Sequence, residues 1–170
     1  VKKLKGSHPE EEYAKTMVRG ADRLNRVITD LLFLARPKPI APKPIPLKEL
    51  VTEIQSLLRF DLEQKDLSIA TKLGAVRVYA DEDSLKQALL NLLLNSLDAL
   101  SMDCMEKLPD DGVAPLEIAS GNTPDGVWIE VRDRGCGMTE EQRIQAFEAF
   151  FTAKAHGTGL GLALVQRTML

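Results

Sequence analysis

With 170 residues, 44% hydrophobic and 28% charged, the chain has a globular composition, enough for one compact domain plus an extra element, and neither disordered nor membrane-spanning. A formal net charge of -3 offers no basic footprint for nucleic acid, no apolar run reaches the ~18 residues of a membrane helix, and no secretory leader opens the chain. Cys104 and Cys136 are too few and too scattered for a disulfide framework or a zinc knuckle, so a reducing, cytoplasmic setting is expected.

Residues 1–8 read as a basic remnant ending in a Gly-Ser turn. From Pro9 to Arg36 the pattern predicts a long helix, with Pro9 in its first turn and Glu10–Glu12 at the positive end of its dipole. Ala14, Met17, Ala21, Leu24, Ile28, Leu31 and Ala35 recur at steps of three and four. Such a heptad seam suggests a coiled coil or bundle, and a dimer is the simplest source of partner helices. The plainer alternative is an amphipathic helix packed on its own domain. Prolines at 37, 39, 42, 44 and 46 then forbid helix and predict a semi-rigid polyproline spacer over residues 37–46, the domain boundary.

Beyond the joint, helix and strand alternate. Leu47, Leu50, Val51, Ile54, Leu57, Leu58 and Leu62 mark an amphipathic helix, and residues 67–73 and 76–80 alternate like short strands. Asp81 or Asp83 caps a breaker-free helix reaching Leu100, apolar at Leu85, Leu89, Leu92, Leu93 and Leu100. Along it Gln87, Asn91, Asn95 and Asp98 form one narrow polar line. Either backbone and water satisfy this line, or it is a floor of oxygen ligands for a hard cation and the phosphates it carries. A polar stretch, 101–114, precedes an antiparallel hairpin of residues 115–120 and 127–133. A short helix starts at Thr139, which forms a possible capping box with Gln142, and a last helix begins near Gly159. No internal repeat is present.

The chemistry-bearing stretches come late. Asp133 ends a strand beside Gly135 and Gly137, where it can accept a hydrogen bond from an exocyclic amine, or simply close a turn. Lys154 sits in aperiodic sequence that reads as a mobile loop or an ordinary solvated lysine. Gly157, Thr158, Gly159, Leu160 and Gly161 run from that loop into a helix, leaving backbone N–H groups uncovered for an anion. No strand precedes them, so neither a dinucleotide fingerprint nor a Walker A loop fits.

In combination and order these motifs are far more specific. Asn91-x-x-x-Asn95 on a helix, Asp133-x-Gly135-x-Gly137 at a strand end, Phe147-x-x-Phe150-Phe151, then Gly157 to Leu162 resemble the ATP-binding domain of bacterial sensor histidine kinases. That family belongs to the Bergerat-fold ATPases, with type II topoisomerases and MutL. The resemblance covers roughly residues 47–170, and Asp22–Pro37 resembles the second helix of the dimerisation and histidine-phosphotransfer bundle.

The resemblance implies an α/β fold, a two-layer sandwich with a mixed sheet covered by helices on one face, preceded by a bundle helix. Residues 1–36 would be a partial dimerisation helix, 37–46 a linker and 47–170 the catalytic domain. It further implies that Asn95 binds Mg²⁺, that Asn91 lies near the phosphates or the metal's waters, and that Asp133 holds the adenine amino group. Gly135 and Gly137 would shape the base pocket, Lys154 would reach a phosphate, and Gly157, Gly159 and Gly161 would hinge a lid whose base Phe147, Phe150 and Phe151 pack. The implied reaction moves the ATP γ-phosphoryl group to a histidine, for relay to an aspartate on a response-regulator receiver domain. Homodimerisation is expected through the bundle helices, and membrane attachment only through segments upstream.

Several positions depart from the family. His8, before Pro9, lacks the phosphoacceptor pattern and reads as a loop residue, so the chain is expected to bind ATP without phosphorylating itself. His156 stands in the lid where a small residue is common, Ala149 where proline is frequent, and Ser84 where arginine is frequent. The chain stops at Leu170, before the final strands expected of the sheet. Two rival readings use the same pocket: another Bergerat-fold ATPase or serine-directed kinase, and a dimerisation module with a vestigial site.

Overall fold

The computed structural model describes residues 41–109, 111–154 and 157–169, together with Tyr13, Met17, Val18, Gly20, Ala21, Leu24, Ile28 and Leu31. The chain divides into two compact units, Val1–Lys38 and Pro39–Leu170. In the first, the eight described residues are helical and exposed, among them Met17, Ala21, Leu24, Ile28 and Leu31 of the expected seam. Ala14 and Ala35 of that seam lie outside the described residues, as do His8, Pro37, Pro39 and His156.

The second unit opens with strand β1, Lys43–Pro46, which corrects the expectation of a polyproline spacer through residue 46. It pairs antiparallel with β3, Arg77–Ala80, with Ile45 opposite Val78 and Pro44 opposite Tyr79. Leu47 N donates to Val76 O just beyond, which fixes the register. Alternate residues of an antiparallel pair share hydrogen bonds, so Lys43 and Ile45 carry the ladder. Pro44 and Pro46 fall on the positions that need no donor, and Ile45 between them is buried.

Helix α1, Leu47–Leu57, buries Leu47, Leu50, Val51 and Ile54 along one face. The single helix expected through Leu62 breaks at Leu58, and α2 covers Arg59–Gln64. Strand β2 spans Ala70–Leu73. Helix α3, Glu82–Ala99, starts where Asp81 accepts hydrogen bonds from both the backbone N–H and the hydroxyl of Ser84, the capping chemistry its sequence predicts. Short helix α4, Met102–Met105, interrupts the polar stretch before β4, Leu116–Thr123, and β5, Gly126–Asp133, form the hairpin. Helix α5, Glu140–Gln145, carries the expected capping box of Thr139 and Gln142, and α6 runs Gly161–Met169.

Strand β4 is the middle of a mixed sheet ordered β2-β4-β5, parallel to β2 and antiparallel to β5. Among the described residues β1 and β3 form a separate two-stranded sheet. Leu116 and Ile118 of β4 point into one core with Val51 and Ile54 of α1 and Leu85, Leu89, Leu93 and Leu97 of α3. The result is an α/β sandwich in which α3 buries one face along its length. No helix among the described residues is long and apolar enough to cross a membrane.

Because Leu93 is fully enclosed at 0% exposure, Leu93→Ala is expected to lose about 2–5 kcal/mol, read as a lower urea midpoint with an unchanged slope. Leu57→Ala, at a position 58% exposed, is expected to stay within about 0.5 kcal/mol of the parent.

Candidate functional site

Two different parts of the chain satisfy the polar line along α3. Gln87 Nε2 donates to Asn91 Oδ1 at 3.4 Å, and Asn91 Nδ2 donates to the carbonyl of Gly161 at 3.3 Å. Asn91 is 6% exposed; without that carbonyl its amide would lie unpaired, at about 1–3 kcal/mol. The bond ties α3 to the first residue of α6. One turn further on, Lys154 Nζ donates to Asn95 Oδ1 at 3.2 Å and to Asp98 Oδ2 at 2.8 Å. Both ends of this ion pair stay largely in solvent, so it contributes ~0–1 kcal/mol and exchanges readily.

The next residue after Asn95 faces elsewhere. About 100° round the helix, Ser96 donates its hydroxyl to Asp133 Oδ2 at 2.9 Å, and Gly135 N donates to Asp133 Oδ1 at 3.0 Å. Asp133, itself exposed, is held at the end of β5 with both oxygens anchored. Just beyond, Cys136 N donates to the Ala99 carbonyl at 3.1 Å. A Cβ on Gly135 would lie 2.6 Å from Ala99 Cβ and 2.7 Å from its carbonyl oxygen, so only glycine lets the turn approach the helix this closely. Gly137 follows in open space.

Behind this turn, Arg134 forms a two-pronged pair with Asp111, at 2.7 and 2.9 Å, and also donates to the Val113 carbonyl. The guanidinium holds the Asp111 carboxyl below its ordinary range. A lowered carboxyl stabilises the fold at pH values above its unfolded pKa, and that contribution is lost as pH falls through the folded value.

The segment between Phe150 and Gly161 is held by several backbone contacts. Phe150 N donates to Gly159 O at 2.9 Å. Gly159 has φ +68°, and a Cβ there would sit 2.6 Å from the Phe150 carbonyl oxygen. Thr158 Oγ1 accepts from Leu160 N at 3.3 Å, and Leu160 is buried. Gly157 packs against Thr152, and Gly161 faces Asn91 and Asn95. Two of the three phenylalanines expected to pack the lid's base, Phe147 and Phe150, are instead exposed. Phe150, in a left-handed backbone conformation, is 68% exposed, Phe147 is also exposed and Phe151 is half-buried.

Asn91, Asn95, Lys154 and Gly161 thus form one bonded group, and Ser96, Asp133 and Gly135 a second, and the two meet on α3 at the adjacent residues Asn95 and Ser96. Sequence reasoning missed Ser96. Its signal was a hydroxyl directly after Asn95 on a helix with one buried face. Among the described residues, no cluster of three or more His, Cys, Asp or Glu could hold a metal.

A family model described as histidine kinase-, DNA gyrase B-, and HSP90-like ATPase matches residues 80–170, spanning α3, the hairpin and the lid. The chain belongs to this ATPase family. The sensor histidine kinase ZraS of Klebsiella oxytoca is 39% identical over 158 residues, covering 91% of this ATPase chain and 32% of ZraS. The chain therefore spans about a third of that relative's length. Full-length ShkA, solved in complex with AMPPNP, shares the fold with a TM-score of 0.70 at 24% identity, covering 97% of this chain and 34% of ShkA. Histidine kinase ThkA, solved in complex with response regulator protein TrrA, has a TM-score of 0.71 at 21% identity, covering 98% of this chain and 46% of that one.

In this ATPase chain the approach of Gly135 to Ala99 is testable directly. Gly135→Ala is expected to cost about 1–3 kcal/mol through overpacking and to speed hydrogen exchange at the Cys136 amide, whose partner is the Ala99 carbonyl. Unchanged stability and protection would show that the turn tolerates a side chain.

Proposed function

We propose that this chain is the ATP-binding catalytic part of a two-component sensor histidine kinase. The observation that supports the reading is the pair of adjacent α3 residues Asn95 and Ser96, one bonded to Lys154 and the other to Asp133, which we read as two walls of one cleft. Asp133 reads the exocyclic amine of adenine with the lone pairs left free by Ser96 and Gly135. Gly135 and Gly137 flank the base. Lys154 leaves Asp98 for a phosphate oxygen, a low-cost exchange for an exposed ion pair. Gly157, Thr158, Gly159, Leu160 and Gly161 carry the lid; the Gly157 and Leu160 amides are held by Lys154 O and Thr158 Oγ1, and the remaining backbone N–H groups serve the phosphates.

The donor set fits Mg²⁺. Asn95 Oδ1 and Asp98 Oδ2 already hold a cation, the Lys154 ammonium, and a hard divalent ion takes such oxygens while keeping several waters. When bound, Mg²⁺ supplies neutralisation of phosphate charge; Asn95 would hold it, with Asn91 nearby. The protein's own contribution is positioning and charge complementarity, which phosphoryl transfer mainly requires. The γ-phosphoryl group passes to an imidazole nitrogen of a histidine on an acceptor helix. Relay to an aspartate of a response-regulator receiver domain follows, a partner class supported by the ThkA–TrrA complex. Homodimerisation uses the heptad helix, whose described seam residues are exposed. The site works in the cytoplasm, where ATP is available.

Titration with ATP is expected to give Mg²⁺-dependent binding that weakens about ten-fold or more in Asp133→Ala, through loss of a hydrogen bond to a charged group. Asn95→Ala is expected to remove most of the Mg²⁺ dependence. Absence of Mg²⁺-dependent binding at roughly millimolar nucleotide, the upper end of ordinary KM values, would overturn the proposal. With an acceptor-helix fragment supplied and labelled ATP, acid-labile phosphohistidine is expected on the fragment. Acid-stable phosphoserine instead would favour a serine-directed kinase.

A further inference from the structure

Ser96 is a buried polar side chain of α3 committed to another element. It is 4% exposed, lies in the last turn of α3, and donates its hydroxyl to a carboxylate 37 residues away in sequence. Helical hydroxyls ordinarily fold back on the carbonyl four residues earlier. Thr52, Ser56 and Thr168 do so here, at 2.9, 3.0 and 2.9 Å. Ser96 instead reaches Asp133 Oδ2, and a carboxylate can only accept, so the direction of that bond is fixed.

From this geometry we infer that Ser96 is a positioning residue that sets the nucleobase selectivity of the site by locking the rotation of the Asp133 carboxylate. The inference rests on the reading of Asp133 as the group that meets the base. Gly135 N fixes Oδ1 and Ser96 fixes Oδ2. Two anchors on two oxygens define the carboxylate plane, and each oxygen keeps one lone pair for a ligand. Ser96 and Asn95 are adjacent on α3, so the base-reading group and the phosphate side share one rigid support.

A locked carboxylate distinguishes purines by what they present at position 6. An amino group there donates to it. A 6-oxo group points lone pairs at a negative charge, and the one compensating donor, the ring N1–H, lies off to the side. A carboxylate free to rotate can turn toward that N1–H. Removing the Ser96 hydroxyl therefore weakens binding of a 6-aminopurine and relaxes rejection of a 6-oxopurine together.

The experiment measures dissociation constants for ATP, ITP and inorganic tripolyphosphate, each with Mg²⁺, on the full chain. ATP and ITP share ribose and phosphates, so their ratio isolates position 6. Ser96→Ala is expected to lower the preference for ATP by roughly ten-fold, the scale of one hydrogen bond to a charged group, and to leave tripolyphosphate binding unchanged. Ser96→Cys, which keeps the volume and weakens the donor, is expected to move the ratio the same way by less. Ser96→Ala added to Asp133→Ala is expected to change the ratio no further. An unchanged ratio in Ser96→Ala, with the ratio collapsed in Asp133→Ala, overturns the role of Ser96 and leaves the base-reading role of Asp133 standing. An unchanged ratio in Asp133→Ala itself removes the underlying reading. Equal weakening of all three ligands in Ser96→Ala, with a lower melting temperature, would make Ser96 purely structural and also overturn the inference.

Discussion

The constraint behind this structure is the need to satisfy polar side chains on a helix that the core buries along one face. Helix α3 gives Leu85, Leu89, Leu93 and Leu97 to the core and still carries Asn91, Asn95 and Ser96. Asn91 and Ser96 need partners most, because an unpaired buried amide or hydroxyl is costly, while Asn95 is only partly buried. The partners come from the two regions that converge on the helix: the lid offers the Gly161 carbonyl and the Lys154 ammonium, and the end of β5 offers the Asp133 carboxylate. The polar residues on α3 thus draw both regions onto one helix.

The two groups of contacts on α3 differ in how far solvent reaches them. On the β5 side, Ser96 to Asp133, Ala99 to Cys136 and the close approach of Gly135 bolt strand end to helix within four residues of α3. On the lid side, one contact is buried and one is not. Asn91 to Gly161 is shielded from solvent, whereas Lys154 to Asp98 is an exposed ion pair that salt screens. This division accords with the proposed function, in which Asp133 stays fixed and Lys154 changes partners. The same lysine marks where positive charge is favourable before any ligand arrives.

Much of this was legible in the sequence for local reasons. The Asp81 cap, the long leucine-rich run of α3, the hairpin around residues 124–125 and the Thr139–Gln142 box each follow from a few adjacent residues. The polar line from Gln87 to Asp98 was visible as spacing alone. What escaped depends on pairing across the chain. Prolines 44 and 46 suggested a spacer because nothing local shows that they fall on donor-free positions of a ladder with β3. The break at Leu58 and the outward turn of Phe150 depend on packing and backbone conformation that periodicity does not record. Ser96 escaped for the same reason, since its partner lies 37 residues on.

The central claim is that the amides of α3 and the carboxylate at the end of β5 bound a single nucleotide cleft. Titrating Mg-ATP into isotope-labelled protein, while following the side-chain amides of Asn91 and Asn95 and the backbone amide of Gly135 by NMR, tests it most directly. All three sets of signals are predicted to shift together, with one saturation curve. Shifts confined to one wall, or walls that saturate at different nucleotide concentrations, would contradict it.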